Sequence, residues 1–90
     1  MTSAAPVQHD PQEKQFYIEA EGGRAYLAYM DLGKQTLDIY RTYVPDTLRG
    51  QGLAARLAAE ALKFAREEGY TVIPSCSYVE SYIQRHPDQS

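Results

Sequence analysis

The apolar residues of this chain change their spacing once, around Pro45-Asp46-Thr47, and that switch limits the possible folds more than any other feature. Before it they recur every second residue, the period of a strand buried on one face. After it they recur every third or fourth, the period of a helix stripe. Phe16, Ile18 and Ala20 alternate with Tyr17, Glu19 and Glu21 until Gly22-Gly23 breaks the run. Arg24 to Asp31 repeats the pattern, with Ala25, Leu27 and Tyr29 opposed to Tyr26, Ala28 and Met30, and Gly33-Lys34 supplies the next turn. A third run spans Gln35 to Val44, with Leu37 and Ile39 on one face and Tyr40, Thr42 and Val44 on the other. Connections this short predict an antiparallel meander.

From about Gln51 the stripe Leu53, Leu57, Ala61, Phe64 and Ala65 predicts an amphipathic helix that stops at Gly69. Arg56, Glu60, Lys63 and Glu67 lie opposite, a solvated face with no function assigned. Thr71-Val72-Ile73 is a short buried-strand signature reached through a helical crossover, so it is expected to run parallel to the third strand. Pro74 has no N–H to donate, and the ladder is expected to open there. Tyr78, Val79, Tyr82 and Ile83 give a last short helix. The fold class is α/β, in the α+β sense: three antiparallel strands, a helix, a parallel fourth strand and a C-terminal helix.

At 90 residues the chain holds one domain, with 43% hydrophobic residues and little surface to spare. Residues 1–14 carry few large apolar groups and read as a flexible tail, leaving 15–90 as the domain. The formal charge of −3 disfavours partners such as nucleic acid or an anionic membrane, which need a basic surface. A lone cysteine, Cys76, excludes an internal disulfide and, with no apolar run of transmembrane length and no signal core, points to the cytoplasm. His9-Asp10 lacks further ligands at metal spacing, so no metal is expected.

Arg49-Gly50-Gln51-Gly52-Leu53-Ala54 stands between a strand and a helix. Glycine lets the backbone approach a ligand closely, and a helix start offers unpaired N–H groups at a positive dipole end, so such a turn can hold phosphate. It can equally be a plain turn that needs glycine for backbone geometry alone. The spacing matches neither the phosphate loop of nucleotide hydrolases nor the dinucleotide fingerprint.

That hexapeptide resembles the Q/R-x-x-G-x-G/A signature of the GNAT superfamily of acyl-CoA-dependent N-acetyltransferases. The series Arg41-Thr42-Tyr43-Val44, Arg49 to Ala54, Pro74-Ser75-Cys76 and Arg85-His86-Pro87 is similar to small stand-alone GNAT-like proteins of about this length. The resemblance implies a minimal GNAT fold with acetyl-CoA between the third and fourth strands. The pyrophosphate of coenzyme A would lie on the N–H groups of Gly50, Gln51, Gly52, Leu53 and Ala54, with Arg49 beside it. The pantetheine arm would pair with Thr42, Tyr43 and Val44.

The same resemblance places Cys76 near the thioester, as an acyl acceptor or a bystander, against the plain reading of a small buried hydrophobe. It makes Tyr78 or Tyr82 a candidate to protonate the departing thiolate, against core packing for either. Small relatives tend to read His-Thr-Glu-Val where this chain has Arg41-Thr42-Tyr43-Val44, so imidazole and carboxylate are both missing there. Asp38 and Glu80 are spare carboxylates, read as exposed. His86 reads as a cap on the last helix. The function so implied is direct acetyl transfer to an unidentified amine or protein acceptor, by a monomer or homodimer. The alternatives are a non-enzymatic acyl-CoA-binding or sensing module and a protein-interaction domain.

Overall fold

A computed structural model describes residues 5–87; residues 1–4 of the expected tail and 88–90 of the expected domain lie outside the described residues. The meander predicted from the alternation is present as β2 (Gln15–Ala20), β3 (Gly23–Gly33) and β4 (Thr36–Tyr43). One 3-10 turn (Asp46–Leu48) leads into α1 (Leu53–Glu67), then β5 (Thr71–Pro74) and α2 (Ser77–Arg85). The segment read as a flexible tail contributes a further strand, β1 (Gln8–Asp10), so among the described residues the sheet has five strands in the order β1-β2-β3-β4-β5. All neighbours are antiparallel except β4 and β5, which run parallel.

Composition could not show what ties β1 down, because beside its pairing with β2 the main side-chain anchor is a polar ring. His9 stacks on Phe16 at 4.1 Å, meets Phe64 edge-on at 4.7 Å and shares a 2.6 Å hydrogen bond with the Tyr29 hydroxyl. Burial outweighs the nearby Asp10 carboxylate and lowers the imidazole pKa, so the neutral ring acts as a member of the aromatic core.

Both helices pack on one face of the sheet. Phe16, Ile18, Leu27, Leu37 and Ile39 from the strands meet Leu57, Ala61 and Ala65 of α1 and Val79 of α2. A second cluster joins Ala58 and Leu62 of α1 to Tyr82 of α2. Arg56, expected on the solvated face, is half-buried instead, and its guanidinium donates to the Ala5 carbonyl at 2.5 Å, strapping the N-terminal segment across α1.

The approach to α1 is pinned from the other side of the chain. The Thr47 hydroxyl donates to the Gly22 carbonyl at 2.9 Å, and a Cβ on Gly22 would come within 3.1 Å of that hydroxyl oxygen. Gly22 has φ 100°, so the β2–β3 turn both requires glycine and presents the carbonyl that fixes the 3-10 turn.

Candidate functional site

β4 and β5 stay together for only half of β4. Thr36 pairs with Thr71, and the register runs on to Ile39 with Pro74. Ser75 then turns its N–H back to the Ile73 carbonyl at 3.1 Å, while the Cys76 N–H reaches the Ile39 carbonyl at 2.9 Å. Beyond that point Tyr40 to Tyr43 of β4 have no β5 partner. The sheet parts at the proline.

A bulge sharpens the parting. Tyr29 pairs with Ile39 but Ala28 with Arg41, which leaves Tyr40 as an extra residue on β4. A bulge bends its strand and resets which way the following side chains point. Thr42 therefore stands opposite Leu27, a core residue, and shares its face; strict alternation had put Thr42 on the face away from Ile39. The signal was visible as the broken alternation Tyr40-Arg41-Thr42-Tyr43, two exposed residues in succession.

At the mouth of the parting lies the glycine turn. Gly50 (φ 84°) and Gly52 (φ 72°) are both left-handed, and Gly52 caps α1 with no side-chain hydrogen bond to the helix start. The Arg56 N–H makes the first helical bond, to the Gly52 carbonyl at 3.1 Å. Among the described residues, the amides of Gly50, Gln51, Gly52, Leu53 and Ala54 donate to no protein acceptor. The first turn of α1 contains no acidic residue, so nothing there competes with an anion for these donors.

A cleft of about 320 Å³ opens over this turn, walled by Val44, Leu48, Arg49, Gly50, Gly52, Leu53, Ala54, Ala55 and Tyr78. Most of the expected binding residues thus converge. Gln51 is exposed beside the cleft and Tyr43 faces the other side of the sheet, where its ring meets Tyr26 at 5.5 Å. Leu48 and Ala55, which the motif did not single out, complete the wall. Arg49 forms an exposed ion pair with Asp46 at 3.2 Å; such a pair is weak and easily exchanged for another anion. A larger hollow of about 640 Å³ lies between Leu62, Val72 and Ile83, away from the glycine turn and its unpaired amides.

Cys76 stands at the N-cap of α2, half-buried, with its thiol donating to the Thr42 hydroxyl at 3.5 Å. Burial pushes the thiol pKa up. Once ionised, the sulfur accepts hydrogen bonds from the Thr42 hydroxyl and from the backbone of Val79, Tyr78 and Thr42; together these outweigh burial, and the net shift is downward from the ordinary 9.0. The thiol therefore links β4 to the start of α2 across the parting.

The two tyrosines of α2 separate. Tyr78 is half-buried in the cleft wall, and its phenol is raised, chiefly by burial and also by Tyr82, against the lowering effect of Arg85. Tyr82 is 5% exposed, packed with Ala58 and Leu62, and its ring stacks on His86 at 4.3 Å. Of the two candidates only Tyr78 reaches the cleft. His86 closes α2, its N–H bonding to the carbonyls of Tyr82 at 2.9 Å and Ile83 at 3.2 Å.

Asp38, set aside as exposed, is only half-exposed: its Oδ1 is buried and has no hydrogen-bond partner among the described residues. It stands between Met30 of β3 and Ile73 of β5, one residue before the last β4–β5 pair. Glu80 is exposed on the first turn of α2.

Comparison with known proteins agrees with this architecture. The family model for the GCN5-related N-acetyl-transferase matches residues 15–90. Protein NATD1 of Xenopus tropicalis is 38% identical over 88 residues, covering 96% of this chain and 81% of its own. Protein NATD1 of Mus musculus is 40% identical over 83 residues, covering 90% and 76%. The solution structure of a GCN5-like protein from Staphylococcus aureus superposes with a TM-score of 0.75 at 27% identity, covering 98% of this chain and 86% of that one.

Proposed function

The chain belongs to the GCN5-related N-acetyltransferase family, and from that premise we propose that it binds acetyl-CoA in the cleft between Val44 and Tyr78 and passes the acetyl group directly to an amine. The observation that carries this reading is the row of unpaired amides from Gly50 to Ala54 at the mouth of a parted sheet. Gly50, Gln51 and Gly52 are exposed, so N–H groups without protein partners there are open to a ligand, and a diphosphate at the positive end of the helix dipole could accept from several at once. Arg49 can leave the weak Asp46 pair for the same anion. The unpaired edge from Thr42 to Val44 offers the pantetheine arm backbone partners, as an added strand would.

Acetyl-CoA supplies an activated acyl group. The acceptor enters as an ammonium and loses one proton to a base. Its nitrogen then bonds to the acyl carbon as the carbon–sulfur bond breaks. The electron pair leaves with sulfur as the thiolate of coenzyme A, and the second proton on nitrogen is released as the amide forms. Asp38 is the carboxylate placed to take the first proton: it adjoins the parting, and a partly buried acceptor without a donor favours a cation beside it. This fills the gap left by Arg41 and Tyr43.

Tyr78 serves the departing sulfur as a hydrogen-bond donor. A phenol raised above about 10 is a weaker acid than a thiol near about 8.5, so it stabilises the thiolate without surrendering its proton for long. Tyr82 takes a packing role. Cys76 holds the parting through Thr42 and is a bystander to transfer. A single cysteine in a chain without disulfides suits a reducing compartment, in keeping with the cytoplasm. The test is titration with acetyl-CoA followed by release of free coenzyme A thiol in the presence of amines: binding plus release supports an enzyme, and binding without release to any amine supports a sensing module.

A further inference from the structure

The face of the sheet opposite the helices carries the large apolar residues that the core leaves out. Met30 and Leu32 are each 52% exposed, Tyr40 47%, Tyr43 42% and Ile73 41%, and all five belong to β3, β4 or β5, around the parted strands. Register fixes their neighbours: Met30, Asp38 and Ile73 stand in one row across the three strands, and Tyr26 stands opposite Tyr43. With strands about 4.8 Å apart and about 3.3 Å per residue, the patch is roughly 10 Å wide and about 16 Å long from Asp38 to Tyr43. Arg41 lies over the rings of Tyr26 and Tyr43 at 5.9 and 6.0 Å. Farther out, Arg24 is paired with Glu19 at 2.6 Å.

Among the described residues Asp38 is the charge left without an ion pair in this row, and its buried Oδ1 has no donor. Asp38, flanked by Met30 and Ile73, selects a cation carried on an apolar body, while Arg41 farther along the same face disfavours a second cation there. Tyrosine, methionine and arginine are the residues enriched in protein-binding surfaces, whereas small ligands bind in concave pockets. The clefts of about 320 and 640 Å³ take their walls from other residues. A patch this long extends well past what one small amine can cover.

We infer that the acceptor is a protein: a segment with apolar residues on either side of a lysine lies across Met30, Tyr40, Tyr43 and Ile73, with the lysine ammonium on Asp38. The inference rests on the acetyltransferase reading above and names its substrate class. The lysine gives one proton to Asp38, and its nitrogen then takes the acetyl group in the balanced step already described.

The test compares defined acceptors on the intact chain: seven-residue capped peptides with a central lysine flanked by Leu and Phe, the same peptides flanked by Ser and Asp, phenethylamine and spermidine. The apolar-flanked peptide is expected to have a kcat/KM at least tenfold above the small amines. Met30→Asp and Ile73→Asp, both at exposed positions, are expected to raise its KM about tenfold while acetyl-CoA affinity stays unchanged. Asp38→Asn is expected to lower transfer to every acceptor with acetyl-CoA affinity intact. A small amine matching the peptide, an unchanged peptide KM in both face variants, or no transfer to any probe by protein that binds acetyl-CoA would overturn the inference. So would a drop in sedimenting mass in Met30→Asp, which would mean that the face holds a second copy. Failure to bind acetyl-CoA at all is a different result, and it removes the acetyltransferase reading itself.

Discussion

Cys76 donates its backbone N–H to the Ile39 carbonyl at 2.9 Å, and among the described residues no backbone bond joins β4 to the following chain beyond it. One residue pair thus sets the depth of the opening. Pro74 withholds an N–H on one strand and the bulge at Tyr40 bends the other, so the parting is built from both sides.

Gly52→Val is expected to abolish acetyl-CoA binding while costing only about 1–2 kcal/mol of stability, the usual penalty for a left-handed residue with a Cβ. The added Cβ meets no protein atom within 4 Å, so the loss of affinity would come from the ligand side and the backbone. Calorimetry and a denaturant melt separate the two effects.

Tyr78→Phe and Tyr82→Phe should part company. The first removes a donor from the cleft and is expected to lower kcat about tenfold or more with acetyl-CoA affinity little changed. The second leaves kcat in place. Truncating the same buried ring to Ala costs about 3–5 kcal/mol, read from urea melts.

The Cys76 thiol ionises below its ordinary value because Thr42 and nearby backbone groups favour the thiolate. Thr42→Val removes the side-chain partner and is expected to move the midpoint of iodoacetamide alkylation against pH upward. Cys76→Ala should retain most transfer activity. Trapping of an acetylated Cys76 in the wild type, with complete loss in the alanine variant, would contradict direct transfer.

His9 is held neutral, with its folded pKa below the unfolded value of 6.5. The unfolded chain then binds the proton more readily, so stability rises with pH through the interval between the two values and falls as pH drops below 6.5. The groups around the ring are Asp10, Tyr29, Phe16 and Phe64. His9→Phe is expected to flatten the change in Tm between pH 7 and 5, a range that can be scanned by thermal melts.

The meander, the crossover helix and the parallel strand β5 were legible because, the Tyr40 bulge aside, residues from Phe16 to Ile73 obey one period at a time. The glycine turn was legible because its chemistry is local. What escaped was held by single long-range contacts. One imidazole between Phe16 and Phe64 turns a polar tail into β1, and no count of apolar residues contains that. An inserted Tyr40 turns Thr42 toward Cys76, and strict alternation assigns it the other face. The partnerless oxygen of Asp38 depends on neighbours from two other strands. Tyr78 and Tyr82, one helical turn apart, could be told apart only once α2 had a place against α1.

The most direct measurement is a thermal melt of the wild-type chain with acetyl-CoA beside acetyl-pantetheine, which has the same thioester and no diphosphate. At 100-fold its Kd a ligand adds about 2.7 kcal/mol, or roughly 10–20 °C for a domain of this size. A large rise with acetyl-CoA and little with acetyl-pantetheine is the predicted result. Equal shifts from both ligands, or none from either, would contradict a diphosphate held by the amides of Gly50 to Ala54.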